Sequence, residues 1–233
     1  SNNILKLSDG EPVVTPAQDV VLGCCYLTLV RHGAKGEGSI FASKEEAMMA
    51  YQTGRLHIQA EIQVRNKQII DGQEYTKRIT TTVGRLIFND ILPYDIGLID
   101  RSKEENYAEI QVNYPVMKKQ LKTIVAKVYD VLGTSECSKL VDKIKDLGYK
   151  YSTLAALTVN AYDAKTPKAK QELLSEAEAK VTENEKMFRR GLITLDEKLI
   201  ENINIWNATH GKVSDAIINE LDEFNPFRIM ITS

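Results

Sequence analysis

Apolar residues recur along this chain with two different periods, and the changes between them, together with caps and breakers, divide it into elements. Asp9-Gly10 and Pro12 punctuate an irregular start. Thr15-Pro16-Ala17-Gln18 then predicts an N-cap, a proline at the first helical position and a Gln that caps back, opening a short apolar helix through about Tyr26. Gly33 to Gly38 reads as a flexible connection. Ser43-Lys44-Glu45-Glu46 is a second capping box, leading a helix through Ala47, Met48 and Tyr51 to a stop at Gly54. From Leu56 the period falls to two: Leu56, Ile58, Ala60, Ile62 and Val64 alternate with polar residues, as in a half-buried strand. Asp71-Gly72 marks a turn and Glu74 to Thr82 a second strand, so Leu56 to Thr82 is expected to hold antiparallel strands of open register. Val83 to Leu92 reads as a short helix ended by Pro93, followed by an irregular, polar connection. Leu121, Ile124, Val125, Val128 and Leu132 predict a helix from Val116 to Gly133. Leu140, Val141, Ile144 and Leu147 predict another, ending before Gly148.

Thr166-Pro167 supplies an N-cap and first-turn proline, and Arg189, Arg190 and Gly191 a cationic last turn and a stop. The charged helix between them has a narrow stripe, Leu174, Ala177, Val181 and Phe188. Thr194-Leu195-Asp196-Glu197 is a third capping box, after which Leu199, Ile203, Trp206, Val213, Ile217 and Leu221 follow a coiled-coil spacing with His210 at one position. Two antiparallel helices follow, each of roughly 23 to 27 residues, or ~35–40 Å. Asn225-Pro226 breaks the pattern, and Phe227 to Ser233 reads as a strand. The expected fold is α+β and predominantly helical. A globular body over residues 1–165 carries a small antiparallel strand region, residues 166–222 form a projecting two-helix coiled-coil arm, and residues 223–233 return as a strand.

Composition narrows the function. The chain has 233 residues, 30 Lys+Arg against 32 Asp+Glu for a net charge of -2, and 43% hydrophobic and 27% charged residues, the balance of a globular protein and not of a strongly basic nucleic-acid binder. Cys24, Cys25 and Cys137 cannot build a disulfide framework and form no C-x-x-C pair, which points to a reducing, cytoplasmic compartment. No apolar run approaches the ~20 residues of a membrane span, and Ser1 to Lys6 has no signal-peptide core, so neither membrane nor export is expected. His32, His57 and His210 sit in no metal-binding frame, and His210 is expected as a partly buried packing residue. Lys35 lacks the Ser or Thr of a phosphate-binding loop, no Ser lies in G-x-S-x-G, and adjacent Cys24 and Cys25 in an apolar helix are expected to be inert. No catalytic residue and no metal ligand is assigned. A long charged hairpin gains little core burial, which suits a docking surface whose tip, Arg190-Gly191-Leu192-Ile193-Thr194, offers two apolar side chains and a cation. The other reading, an arm packed back on the body, stays open at this level.

Six motifs carry a resemblance. Ser1-Asn2-Asn3-Ile4-Leu5 with Asp9-Gly10-Glu11-Pro12 looks like S-x-N-N-I-L and N-G-E-P, and Thr15-Pro16-Ala17-Gln18-Asp19-Val20-Val21-Leu22-Gly23 is similar to P-S-Q-D-V-V-L-G. Ala34-Lys35-Gly36-Glu37-Gly38 matches A-K-G-E-G, Thr81-Thr82-Val83-Gly84-Arg85 matches T-T-V-G-R, Gly191-Leu192-Ile193-Thr194 is similar to G-L-V-T, and Ile205-Trp206 matches I-W. In this order and spacing they resemble the beta-prime subunit family of bacterial DNA-directed RNA polymerase, in the segment between its catalytic aspartate motif and its bridge helix.

The resemblance implies that the arm corresponds to the rim helices at the mouth of the secondary channel, where transcript-cleavage and related regulatory factors dock, with Arg190, Gly191, Leu192, Ile193, Thr194, Glu197 and Lys198 as docking residues. It implies the partners of the whole nucleotidyltransferase: the beta, alpha and omega subunits, and DNA and RNA. It also implies magnesium in that enzyme, held by a motif before Ser1, so this chain alone is expected to carry no cofactor and to be catalytically silent. Gln18 and Asp19 are expected nearest the active centre. Where relatives bind an alarmone through a Lys, an Asp and a Tyr, this chain has Ser135, Asp142 and Asp146, and an Asn-Lys pair of a second such site is Ile200-Glu201 here. Both losses of cations argue against those sites. The competing readings are a free-standing interaction module built on the hairpin and a stand-alone hydrolase or transferase, the latter needing a polar cluster that the spacing does not supply.

Overall fold

A computed structural model describes residues 16, 18–70, 72–163, 165–222 and 224–232. The expectations for residues 1–15, including the Thr15 cap and the first motif, and for Ala17, Asp71, Glu223 and Ser233 lie outside the described residues. The fold is predominantly helical α+β, in two compact units that meet in sequence between Leu157 and Thr158.

The first unit begins with α1 (Asp19–Thr28), in which Val20 to Cys25, Leu27 and Thr28 are all buried. A helix apolar on every side belongs inside a core. It starts three residues after Pro16, so the proline is not its first helical residue; Gln18 is the cap, with a φ of 50°. Next come β1 (Ile40–Phe41) and α2 (Lys44–Gln52), whose Ser43 Oγ accepts from Glu46 N as the capping box predicts. The alternating apolar residues Leu56, Ile58 and Ala60 are buried, yet the chain turns there. Ala60 N donates to His57 O (3.1 Å) and His57 N to Lys35 O (2.9 Å), and the polar Gln59 is buried as well, its Nε2 donating to Tyr26 O (2.7 Å), so the alternation marks neither a strand nor an exposed face and the ladder starts only at Ile62.

β2 (Ile62–Ile70) and β3 (Gln73–Thr81) are antiparallel in a register running from Ile62↔Thr81 to Ile70↔Gln73. β1 adds to the other side of β2 in parallel, through Ile40↔Gln63 and Phe41↔Val64. Two residues are too few to show a period, which is why β1 escaped the sequence reading. α3 (Val83–Ile91) is capped by Thr82 and stops before Pro93 as expected. The connection after it is irregular and largely exposed from Tyr94 to Glu105, as expected, but it also sends apolar residues inward. Ile96, Ile110, Val112 and Val116 are buried in the core, and Asn89 imitates a strand partner, donating to Val112 O (2.7 Å) and accepting from Val112 N (2.9 Å).

α4 (Lys118–Ala155) combines both predicted helices, broken where expected at Gly133 (φ 78°, ψ -175°). Gly148 does not end it. A Cβ at Gly23 would lie 1.9 Å from Gly148 O, and one at Gly148 would lie 2.7 Å from Val20 O. The glycine serves a backbone-to-backbone crossing of α1 and α4. Gly84 does the same at the start of α3, where a Cβ would lie 1.9 Å from Leu27 O.

The second unit contains α5 (Lys170–Arg189), α6 (Leu195–Glu220) and α7 (Pro226–Thr232). Lys168 N donates to Glu220 Oε2 (3.1 Å) near one end and Asn184 Nδ2 to Asn202 Oδ1 (3.2 Å) near the other, so α5 and α6 are antiparallel. α5 is capped at Ala169 rather than Thr166, making it 20 residues long against 26 for α6. Residues 226–232 are a helix, not the return strand expected. Asn225 Oδ1 accepts from Phe227 N (2.9 Å) and Pro226 stands first in the helix, a start signal that outweighs the β-branched residues after it. Among the described residues no helix is long and apolar enough to cross a membrane.

Candidate functional site

The hairpin tip is built by local rules. α5 ends with Arg190 as cap; Gly191 at φ 71° donates to Phe188 O (2.9 Å), and Leu192 N reaches back to Met187 O (3.0 Å). That pair of bonds needs a left-handed residue, which glycine adopts without strain. Three residues on, Thr194 starts α6 with a complete capping box: its Oγ1 accepts from Glu197 N (3.3 Å), while Glu197 Oε2 accepts from Thr194 N (2.8 Å) and Thr194 Oγ1 (3.0 Å). The bonds from Thr194 hold the Glu197 carboxyl below the usual glutamate range. Lys198 pairs with Glu185 and lies over the Phe188 ring at 4.7 Å, and Arg189 Nε donates to Glu185 at 3.2 Å. Glu197 and Lys198, read from sequence as docking residues, therefore hold the tip together. Arg190 and Leu192 are exposed, Leu192 at 68%, with Arg190 in no ion pair among the described residues, while Ile193 is half-buried.

The seam of α6 differs from the one expected. Ala177, Asn184 and Thr209 are buried between the helices, with the Asn184–Asn202 and Glu185–Lys198 pairs beside them. Leu199, Ile203, Trp206 and His210 all lie exposed, whereas Val213 and Ile217 are half-buried and Leu221 is buried. Spacing found the apolar stripe but not which element covers it: polar pairs occupy the face toward α5. The α5 stripe is as read, with Ala177 buried and Leu174, Val181 and Phe188 half-buried. Leu195, Leu199, Ile203 and Trp206 thus form one exposed line along α6, from 56% at Leu195 to 41% at Trp206, with Leu192 exposed in the turn before it.

The remaining expected residues lie in the first unit. Gln18 and Asp19 are exposed at the start of α1, and Ser135, Asp142 and Asp146 are exposed on α4, where Lys145 Nζ lies 3.1 Å from Asp142 and 3.8 Å from Asp146. Cys24 and Cys25 are buried, and burial followed by the charge of Cys25 pushes the Cys24 thiol up to about 12, which leaves it inert. Among the described residues the only grouping of metal-type ligands is His32, Glu37 and Glu61, within 4.8 Å of one another. Glu37 is already engaged, accepting from Gly33 N at 2.5 Å and lying 3.2 Å from His32 Nδ1, and these bonds lower its carboxyl. The group clamps its own loop. With a histidine nitrogen among its donors it does not suit magnesium, which prefers oxygen ligands.

Sequence reasoning missed Arg85, which is buried with its guanidinium lowered chiefly by desolvation. Its Nε donates to Thr28 O (2.9 Å) and Nη1 to Asn113 Oδ1 (3.1 Å), tying α1, α3 and the connection together. The motif around it, Thr82-Val83-Gly84-Arg85, was the available signal: a cap, a core residue, a close approach and a clamp.

The family profile described as RNA polymerase Rpb1, domain 3, matches residues 3–164. Along all 233 residues the chain is 47% identical to the DNA-directed RNA polymerase subunit beta' of Thermoanaerobacter pseudethanolicus. The same subunit of Caldanaerobacter subterraneus subsp. tengcongensis is 46% identical and that of Clostridium acetobutylicum 47%. The chain spans 20% of the length of each.

Proposed function

The chain belongs to the RNA polymerase Rpb1, domain 3, family and is similar throughout to bacterial beta' subunits, and from that premise we propose that it builds wall and rim of the polymerase's secondary channel. In this reading the first unit is wall, the α5–α6 hairpin is the rim helices, and protein factors that enter the channel dock on the hairpin. The carrying observation is the exposed line Leu195, Leu199, Ile203 and Trp206 on α6, with Leu192 exposed in the turn before it and Arg190 in no ion pair among the described residues. The segment serves DNA-templated RNA synthesis in the bacterial cytoplasm with the beta, alpha and omega subunits, DNA and RNA as partners. Magnesium and the chemistry belong to other parts of that enzyme.

The test is a polymerase whose beta' subunit carries Leu199→Asp and Ile203→Asp in this segment. Promoter-dependent synthesis is retained and factor-stimulated transcript cleavage is lost; retained cleavage at wild-type factor concentration overturns the docking assignment. Arg190→Glu gives a smaller loss by the same assay. The isolated chain, supplied with template, magnesium and nucleotides, incorporates nothing.

A further inference from the structure

Beyond the hairpin, the first unit has a sheet edge that is open among the described residues. β1 covers only Gln63 and Val64 of β2. Gln63 N donates outward to Ser39 O at 2.9 Å, so by the period of two the N–H and C=O groups of Arg65, Lys67 and Ile69 point the same way, past the end of β1. Asn66 and Gln68 point inward to their partners Lys77 and Tyr75. Beside this edge lies a cleft of about 440 Å³ lined in part by Arg65, Lys67, Lys44, Arg101 and Gln111.

The charges of the cleft are unevenly satisfied. Its acids are Glu45, Asp90 and Glu109; Lys44 pairs with Asp90, Lys77 with Glu109 and Lys67 with Glu74, which leaves the single carboxylate of Glu45 against Arg65 and Arg101. Arg101 meets only the carbonyl oxygens of Asn106, Tyr107 and Glu109 and the Tyr94 ring, its Nε buried without a partner, and Arg65 has no ion-pair partner among the described residues. Buried Gln111 likewise leaves Oε1 unpartnered. Positive charge along an edge discourages pairing with a second copy of itself, which would bring like charges together. It favours a strand of opposite sign. At the far end Ile69 is 71% exposed, an apolar contact for such a strand.

We propose that the outward edge of β2 over residues 65–70 is a β-augmentation site for an extended acidic segment of another polypeptide. The edge is ~20 Å long, room for about six residues. Main-chain bonds to Arg65, Lys67 and Ile69 supply the pairing, and Arg65 and Arg101 select carboxylate side chains.

The probe is a blocked hexapeptide alternating valine and glutamate, added to the full chain while amide hydrogen exchange is followed by NMR. The Arg65, Lys67 and Ile69 amides slow down on addition, while Asn66 and Gln68, already bonded to β3, do not change. Lys67→Pro removes one outward donor without touching the β2–β3 ladder, and Arg65→Glu keeps the backbone; each weakens binding about tenfold. Equal binding of a valine–lysine peptide overturns the charge selection. Outward amides protected before the peptide is added, or protection appearing instead along β3, overturns the site.

Discussion

The two units spend their glycines and polar pairs in opposite ways. In the first, Gly23, Gly84 and Gly148 let backbones touch, and a buried Arg85 joins three segments. In the second, Gly211 has nothing around it, Asn184 and Asn202 occupy the helix interface, and the apolar line of α6 is exposed. One unit is specified by contacts that admit no alternative side chain. The other leaves the apolar line of α6 uncovered by its own helices.

Gly148→Ala breaks this contrast most severely: with Val20 backbone atoms in the way, the first unit loses about 3 kcal/mol, read from the denaturation midpoint. Arg85→Met, which leaves the buried Thr28 O without its donor, loses about 2 kcal/mol in the same measurement. Thr194→Ala removes the α6 cap and lowers hairpin stability by about 1 kcal/mol, seen as lost helical circular dichroism on heating. Gly211→Ala shifts the hairpin the other way, raising its stability by up to about 1 kcal/mol, since the new methyl meets nothing and favours helix. The smallest effect is that of Leu199→Ser, within about 0.5 kcal/mol of wild type, because an exposed side chain leaves no cavity.

Acid sharpens the comparison by acting on the tip. Glu197 and Glu185 titrate below the ordinary value of 4.5, the first through its bonds from Thr194 and the second through Lys198 and then Arg189. Their folded pKa is depressed, so their contribution is present above the unfolded value and disappears as pH falls through the folded one. Hairpin melting temperature therefore declines below about pH 4.5, and Glu197→Gln flattens that decline.

Local signals were legible wherever a few adjacent residues settle the outcome. The caps at Ser43 and Thr194, the breaks at Gly133 and Gly191 and the stop at Pro93 all stand where the sequence puts them, since each depends on bonds within a turn or on one backbone angle. Six motifs likewise pointed to the family, whose profile covers residues 3–164. The partner of each apolar stripe depended on distant residues. Leu56 to Ala60 alternate in polarity without pairing, and the polar Gln59 is as buried as its apolar neighbours; Gly148 looks like a stop until α1 lies against it; and Leu199, Ile203 and Trp206 look like a seam until Asn184 and Glu185 claim the other face of α6. Sequence alone determined that these surfaces are apolar, because hydrophobic period is a property of the chain. Only the tertiary structure decided which are covered, because covering requires a second element whose approach no local pattern encodes.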